Sequence, residues 1–455
     1  MTTFEERATT RSAPSWKRRS VMGLQIRLRG GNRVVNVYTD GAQDRSGRVI
    51  PIRKNIRHTW VLAMPLVFAG AVLQACSHPA RLASPPQEVA LQAVVLDLPN
   101  ARFWPARRST KFFEEGMRTV EREMAYLNVT AYGDLPPANF LALSGGSDKG
   151  AFGAGLLVGW TEAETRPDFK IVTGISTGAL VAPFAFLGSA YDGPLSRMYT
   201  TISSENIYTV RGPVAALFED AANDSTPLFN LIADRVDDEI IAAIASEYAR
   251  GRLLLIGTTN LDAGEPVIWN IGAIASSGHP GARDLIHKIL LASASIPGFF
   301  PPVMIDVQVD GEPYQEMHVD GGTIAQLFLY PPAVGEMIVR AGMERERRAF
   351  VIRNSHINHD GAPVERQAIA IVGRTISTMV FMSGTNDIIR TYLIAQRDGV
   401  DFHLAFIDED FEAPKPDDKF DPMYMKALYK YGYDKARKGI EWHRVPPILA
   451  VPSAQ

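Results

Sequence analysis

Two kinds of apolar pattern alternate along residues 136–455. Short continuous apolar runs, Phe140 to Leu143, Phe169 to Thr173 and Leu253 to Thr258, read as strands buried on both faces, because a strand with one wet face alternates apolar with polar residues. Between them lie apolar residues at helical spacing, Ala151 to Trp160, Ala179 to Leu187 and Asp284 to Ala292. Further strands are expected near Met317 to Val319, at Ala349 to Arg353 and in "DFHLAFI", with "EPVIWNIG" as the hairpin partner of the third run. This succession predicts an α/β fold with a mainly parallel central sheet covered by helices on both faces.

The remaining segments decorate that plan. Thr110 to Leu127 has the spacing of an amphipathic helix packed on the main domain, and "GDLPPANF" breaks the chain before the first strong strand. Leu195 to Ala249 is helical but less apolar, and reads as an insertion or cap over the sheet. After Val364 come two helical segments, "AIAIVGRTISTMVFMSGTNDIIRTYLIAQ" and "MYMKALYKYGYDKARKGIEW". The acidic loop "DEDFEAPKPDD" lacks the glycine turn and terminal Glu of a calcium-binding loop, so it reads as a solvated surface.

The amino terminus is organised differently. Arg53, Lys54 and Arg57 precede an apolar stretch that ends in Leu73-Gln74-Ala75-Cys76, a positive start and apolar run that make a secretory signal. A single uncleaved membrane helix and a buried helix are the alternative readings. The stretch resembles a bacterial lipoprotein signal with its lipobox. That resemblance implies diacylation of Cys76 and a lipid anchor, and Ser77 at the next position favours an outer membrane, with the chain facing the periplasm. Residues 1–50 are then a poorly ordered extension, or mark a start placed too far upstream of a true one near Val49 or Met22. The expected organisation is residues 1–50 as extension, 51–76 as signal, 77–135 as tether and amphipathic helix, and 136–455 as catalytic domain.

Charge and cysteine content narrow the partners. The net charge of -3 conceals an asymmetry, since residues 1–76 hold 13 of the 47 Lys and Arg and 4 of the 50 Asp and Glu. The rest of the chain therefore carries 34 basic against 46 acidic residues. Phosphate binding needs clustered cations, which argues against nucleic acid as a partner. Cys76 is the one cysteine, so no intrachain disulfide can form.

Candidate chemistry lies at three points. In "KIVTGISTGALVAPF" a strand runs into Ser176 between Gly174 and Gly178 and continues as a helix, a spacing that fits an exposed serine on a tight elbow. In "LALSGGSDKGAFGAGLL" a buried strand runs into Gly145 and Gly146 before a helix, leaving backbone N–H groups uncovered beside a positive helix end. Such a cradle suits a phosphate or an oxyanion. Gly150, Gly153 and Gly155 are in the wrong order for a dinucleotide fingerprint, and the Gly-Lys-Ser/Thr ending is absent. The third point is Asp320 before Gly321 and Gly322, downstream of "ASASIPGFFPPV".

Together, Gly145-Gly146-Ser147-Asp148-Lys149-Gly150, Gly174-Ile175-Ser176-Thr177-Gly178 and Asp320-Gly321-Gly322 resemble the ordered motifs of the patatin-like phospholipases. "TTNLDAGEPVIW" and "ASASIPGFFPPV" are similar to that family's central hairpin and pre-aspartate segment. The resemblance implies a three-layer patatin-like fold and a lipid acyl hydrolase with a Ser176–Asp320 dyad acting through an acyl-enzyme. It also implies an oxyanion hole at Gly145, Gly146 and Ser147, no cofactor and no metal, and membrane lipid as substrate. Ser147 departs from the family's third glycine. If that position needs positive φ, serine adopts it at a cost, and Gly145 and Gly146 are the better donors. Two other readings stand beside this one. An α/β-hydrolase triad would draw its base from His356, His359, His403 or His443, and a lipid-binding lipoprotein would have lost catalysis altogether. His318, sharing a strand face with Asp320, reads as a packing or hydrogen-bonding residue.

Overall fold

The computed structural model describes residues 81–450, except 106–108, 213–219, 341, 343–344, 359–360, 362, 414–415 and 417, together with residues 23–26 and 35–38. The chain divides into two units, Met1–Cys76 and Ser77–Gln455. In the first, strands Gly23–Ile26 and Val35–Tyr38 pair antiparallel. The signal stretch and Cys76 lie outside the described residues.

The second unit is built on a nine-stranded sheet. Its strands are β1 (Arg102–Phe103), β2 (Ala138–Leu143), β3 (Ile171–Gly174), β4 (Leu253–Asn260), β5 (Glu265–Asn270), β6 (Val303–Val309), β7 (Glu312–Asp320), β8 (Arg347–His356) and β9 (Asp401–Ile407). The order β4, β3, β2, β8, β9 is parallel throughout. β5 and β7 then pair antiparallel with β4, β6 with β7, and β1 with β5. The result is the mixed, mostly parallel α/β sheet that the apolar runs predict.

Alternation along the parallel strands sends their side chains into two cores. Leu141, Leu143, Val172, Leu254, Ile256 and Ile352 face one cluster, with helices Gly150–Glu162, Thr177–Leu187, Ala282–Ala294 and Pro422–Arg437 packed over it. Phe140, Ala142, Leu253, Leu255, Val351 and Leu404 face the other, beneath Phe112 of helix Ser109–Leu127 and Ile388 and Ala395 of helix Ala368–Arg397. Continuous apolar strands are thus explained by two dry faces, giving three layers. Leu228, Ile232, Ile240 and Ile244, from the segment read as a cap, belong to the first core, so that segment completes the helical layer as well as covering it. The acidic loop departs from a purely solvated reading. Asp408 accepts hydrogen bonds from Tyr431 and Lys435, and Asp410 accepts one from Tyr431, which pin the loop to the last helix.

One topological detail sets up the site. β4 outlasts its neighbour β3, and on the edge opposite β5 it is shared end to end. Ile171–Gly174 of β3 pair with Leu253–Ile256, and His318–Asp320 of β7 pair with Asn260–Thr258 from the other direction. The ends of β3 and β7 therefore face each other across two residues of β4, Ile256 and Thr258, a gap of roughly 7 Å at the rise of a strand. The chain beyond Gly174 and the carboxylate of Asp320 are delivered to the same point.

Candidate active site

Immediately past β3 the backbone turns at Ser176, where φ is 56° and ψ is -128°, and helix Thr177–Leu187 begins at the next residue. Such a conformation costs a residue with a Cβ something on the order of 1–3 kcal/mol and persists only where surrounding contacts enforce it. Two of those contacts are close backbone approaches that glycine alone permits. A Cβ on Gly174 would collide with the carbonyl oxygen of Gly178, and one on Gly178 with that of Leu143. A third is a hydrogen bond, since the Ser176 N–H donates to Ser293 Oγ at 3.0 Å and that hydroxyl donates on to the Gly257 carbonyl at 2.7 Å.

Asp320 closes β7. Its N–H donates to the Ser295 carbonyl at 2.9 Å, so Ser293 and Ser295 of one short segment hold both the elbow and the carboxylate's strand. Ser176 stands beside the Asp320 carboxylate, whose Oδ1 accepts the Gly322 N–H at 2.6 Å. Burial disfavours its ionised form more than Ser176 and the Gly322 N–H favour it, and its pKa is pushed up to about 7. The serine and aspartate singled out from the sequence are brought side by side across the shared strand β4.

Behind Asp320, the same strand carries a buried polar array. His318 contacts Thr258 Oγ1 through Nδ1 at 2.9 Å and Glu316 through Nε2 at 3.1 Å, and Trp269 Nε1 donates to the same threonine oxygen at 2.8 Å. Glu316 is paired with Arg102, whose second nitrogen donates to the Ala93 carbonyl at 2.9 Å. Burial opposes the Glu316 charge, but Arg102 and His318 hold its pKa down at about 2.

The glycine turn after β2 differs from expectation in one respect. The Gly145 N–H donates to the Gln326 carbonyl at 3.1 Å, which removes it from the donors free to meet an oxyanion. Gly145 contributes room instead, since a Cβ there would sit 3.2 Å from that of Ser176. Gly146 and Ser147 carry no N–H hydrogen bond among the described residues, and they are the candidate donors. Ser147 has a φ of 58°, the positive value at which a serine is strained. Lys149 ends the short 3-10 turn Ser147–Lys149, and Gly150 opens the following helix against Thr177 Oγ1 of the elbow helix.

Sequence reasoning overlooked what fixes this turn. Buried Asn354, at the end of β8, donates from Nδ2 to the Ser144 carbonyl at 2.8 Å, accepts the Gly153 N–H on Oδ1 at 3.1 Å, and gives its own N–H to Ser144 Oγ at 2.8 Å. Gln326 lies between the two halves, with Nε2 donating to the Gly322 carbonyl at 3.1 Å and its backbone N–H donating to Asp387 at 2.6 Å. Asn354 carries no local sequence signal for this role. Gln326 and Asp387 gave none.

Two of the four histidines expected of a triad, His403 and His443, are engaged elsewhere. His403 bonds the Asp401 carbonyl at 3.2 Å and packs on Phe350 and Trp442, and His443 stacks on Phe406. His359 lies outside the described residues. Among those described, no imidazole is hydrogen-bonded to Ser176 or Asp320, and no group of three His, Cys, Asp or Glu side chains is placed to hold a metal.

This geometry has a counterpart among known sequences, for residues 141–331 match the family model described as patatin-like phospholipase. Residues 141–331 carry a patatin-like phospholipase domain. The match begins within β2, ends at Pro331, and takes in the glycine turn, the elbow and Asp320. No curated protein matches the chain. Among solved structures it is similar to VipD from Legionella pneumophila, at 12% identity over 67% of this chain and 66% of that one, with a TM-score of 0.31. It is also similar to human GIVD cytosolic phospholipase A2, at 12% identity over 72% and 54%, with a TM-score of 0.27. The chain thus spans somewhat less than two thirds of the first and about half of the second. At these scores the likeness adds nothing to the family match.

Proposed function

We propose that the patatin-like domain hydrolyses fatty-acyl esters of membrane lipids, with Ser176 as nucleophile and Asp320 as base. The observation that carries this reading is the placement of Ser176 beside a buried carboxylate whose pKa stands near 7. A carboxylate with an ordinary pKa of about 3.9 is a poor acceptor for a hydroxyl proton, and burial makes this one stronger. As the Ser176 oxygen bonds to the ester carbonyl carbon, its proton passes to Asp320. The charge that develops on the carbonyl oxygen meets the N–H groups of Gly146 and Ser147 and the positive end of helix Thr177–Leu187. When the C–O bond breaks, Asp320 returns its proton to the departing alkoxide, leaving Ser176 acylated. Water, giving a proton to Asp320, then attacks the acyl-enzyme, and the fatty acid leaves as Ser176 regains its hydrogen.

We also propose that the mature chain begins at a lipidated Cys76 and sits at the outer membrane, facing the periplasm. An anchored hydrolase meets its substrate in the plane of the bilayer. Mass spectrometry of the mature amino terminus tests the anchor. An unmodified Cys76, or a chain retaining residues 1–50, would refute it.

A fluorophosphonate probe tests the chemistry directly. The folded protein should be labelled at Ser176 and not after Ser176→Ala, and a lipid panel should yield free fatty acid. Absence of labelling in folded protein would favour a lipid-binding role without catalysis.

A further inference from the structure

β8 ends beside the glycine turn, and alternation sends neighbouring side chains near its end to opposite layers. Asn354 turns toward helix Gly150–Glu162, whereas Arg353 turns toward helix Ala368–Arg397, where its Nη1 donates to Thr385 Oγ1 at 3.1 Å and its guanidinium lies over the Phe381 ring at 4.8 Å. Arg353 is only 3% exposed, yet among the described residues no carboxylate lies within ion-pair distance of it. Asp387, whose charge reaches it, spends its oxygens on the Gln326 N–H at 2.6 Å and on Arg390 at 2.8 Å. Burial therefore draws the Arg353 pKa down to about 10.

One edge of the guanidinium fork is left over. Nε and Nη2 make no hydrogen bond among the described residues, and neither is wholly sealed from solvent. These two N–H groups point the same way, the edge that receives a phosphate or a carboxylate through two parallel bonds. Taking a guanidinium out of water without a partner costs stability, so an unpartnered fork held by a ring and one hydroxyl marks a ligand. Its surroundings select which. Gly384 has no side chain to fill the space before the guanidinium, since a Cβ there would lie 3.9 Å from Arg353 Cζ and 3.3 Å from Gln326 Cβ. Gln326 in turn packs against Gly145 beside Ser176 and against Gly322 beside Asp320, so one side chain separates the fork from the dyad. In a glycerophospholipid only a short run of single bonds separates the phosphate from the nearer ester carbonyl. The carboxylate of a released fatty acid forms at Ser176 itself and is not the anion that a fork set back by one side chain would meet. Both groups also lie at the carboxyl ends of parallel strands, where open α/β sheets take their ligands.

We propose that Arg353 reads the phosphodiester of a phospholipid substrate, taking it on Nε and Nη2 while the ester carbonyl lies at Ser176. The inference rests on the lipid-hydrolase reading and narrows it from acyl esters at large to those that carry a phosphate. Thr385 and Phe381 hold the fork in place for it.

Two esters alike but for the headgroup, dihexanoylphosphatidylcholine and dihexanoylglycerol, test it on the full chain, both supplied as monomers. The unaltered enzyme should favour the first roughly ten-fold or more in kcat/KM, as expected of hydrogen bonds to a charged group. Arg353→Met should erase that preference, lowering the rate on the phospholipid and leaving the diacylglycerol, which offers the fork nothing, within about two-fold. Its Tm should not fall, because the change removes an unpaired buried charge. Arg353→Lys keeps the charge without the fork and should still lose about three-fold or more on the phospholipid, and it carries the test if Arg353→Met does not fold. Equal loss on both esters would make Arg353 a structural residue and overturn the proposal, as would an undiminished rate on the phospholipid. With Ser176→Ala, which consumes no ester, sn-glycerol 3-phosphate should bind in calorimetry, and the added change Arg353→Met should weaken it roughly ten-fold or more. Tighter binding of hexanoate than of glycerol phosphate would assign the fork to a carboxylate, and phosphate binding without a preference between the esters would assign it to a free anion; either overturns the proposal. If the chain cleaves neither ester yet binds glycerol phosphate through Arg353, the hydrolase reading falls and the phosphate site stands. Cleavage of both esters alike, with no binding of glycerol phosphate, leaves the hydrolase reading and removes this one.

Discussion

Two serines in this domain share a positive φ and little else. Ser176 and Ser147 sit at φ values of 56° and 58°, each after a parallel strand and at or just before a helix, on neighbouring strands β3 and β2. Ser176 is buried, its N–H is held by Ser293 and the Asp320 carboxylate lies beside it. Ser147 is half-buried with no hydrogen-bond acceptor for its N–H among the described residues. On the proposed mechanism, a strained turn is therefore not what makes a nucleophile. The carboxylate is, and the second turn is left with donors to spare.

The sharpest way to break this contrast is to remove the hydroxyl. Ser176→Ala should lower kcat at least about 10³-fold, as for other serine nucleophiles, whereas Ser147→Ala should leave fluorophosphonate labelling in place. Labelling lost with Ser147→Ala and kept with Ser176→Ala would reverse the assignment. Asp320→Asn comes next, with a loss of roughly 10²–10⁴-fold, the range for general-base removal. The unaltered enzyme should also gain kcat/KM about ten-fold per pH step up to about 7 and level off above it, since only ionised Asp320 accepts the proton.

Stability should run the other way. The folded-state pKa of Asp320 lies above its unfolded value, so the folded chain holds more protons between about pH 4 and 7 and loses stability as pH rises through that window. Asp320→Asn should therefore melt higher than the unaltered protein at pH 8, and a lower Tm there would count against a buried carboxylate. Ser293→Ala removes the hydroxyl that holds the elbow and should lower kcat roughly ten-fold with little change in KM, at a cost of about 1–3 kcal/mol in chemical denaturation. The smallest effect is expected of Ser147→Gly, which relieves the left-handed backbone and should add about 1 kcal/mol of stability with kcat within a few-fold.

Much of this was legible in the chain because the parallel strands are dry on both faces. Phe140–Leu143, Leu253–Thr258 and the helices between them announce themselves by apolar continuity, and the glycine spacing around Ser176 reports an approach that only glycine permits. β1, two residues long, and β6, which alternates apolar with polar at Asp306 and Gln308, were not foreseen from apolar continuity. The roles of Asn354, Gln326 and Ser293 are set by tertiary hydrogen bonds across more than 100 residues of sequence, which no local pattern encodes. The same limit misplaced the Gly145 N–H, whose acceptor at Gln326 lies far downstream.

The end-to-end sharing of β4 makes catalysis a reporter of alignment. β7 reaches β4 through only three residues, and sliding it by one would turn the carboxylate to the opposite face of the sheet, since side chains alternate. Arg102, His318 and Thr258 oppose that slip, because it would strand the charge of Glu316 away from its guanidinium. Mild denaturant should therefore silence the enzyme while the parallel sheet, and the far-ultraviolet signal it gives, is still intact.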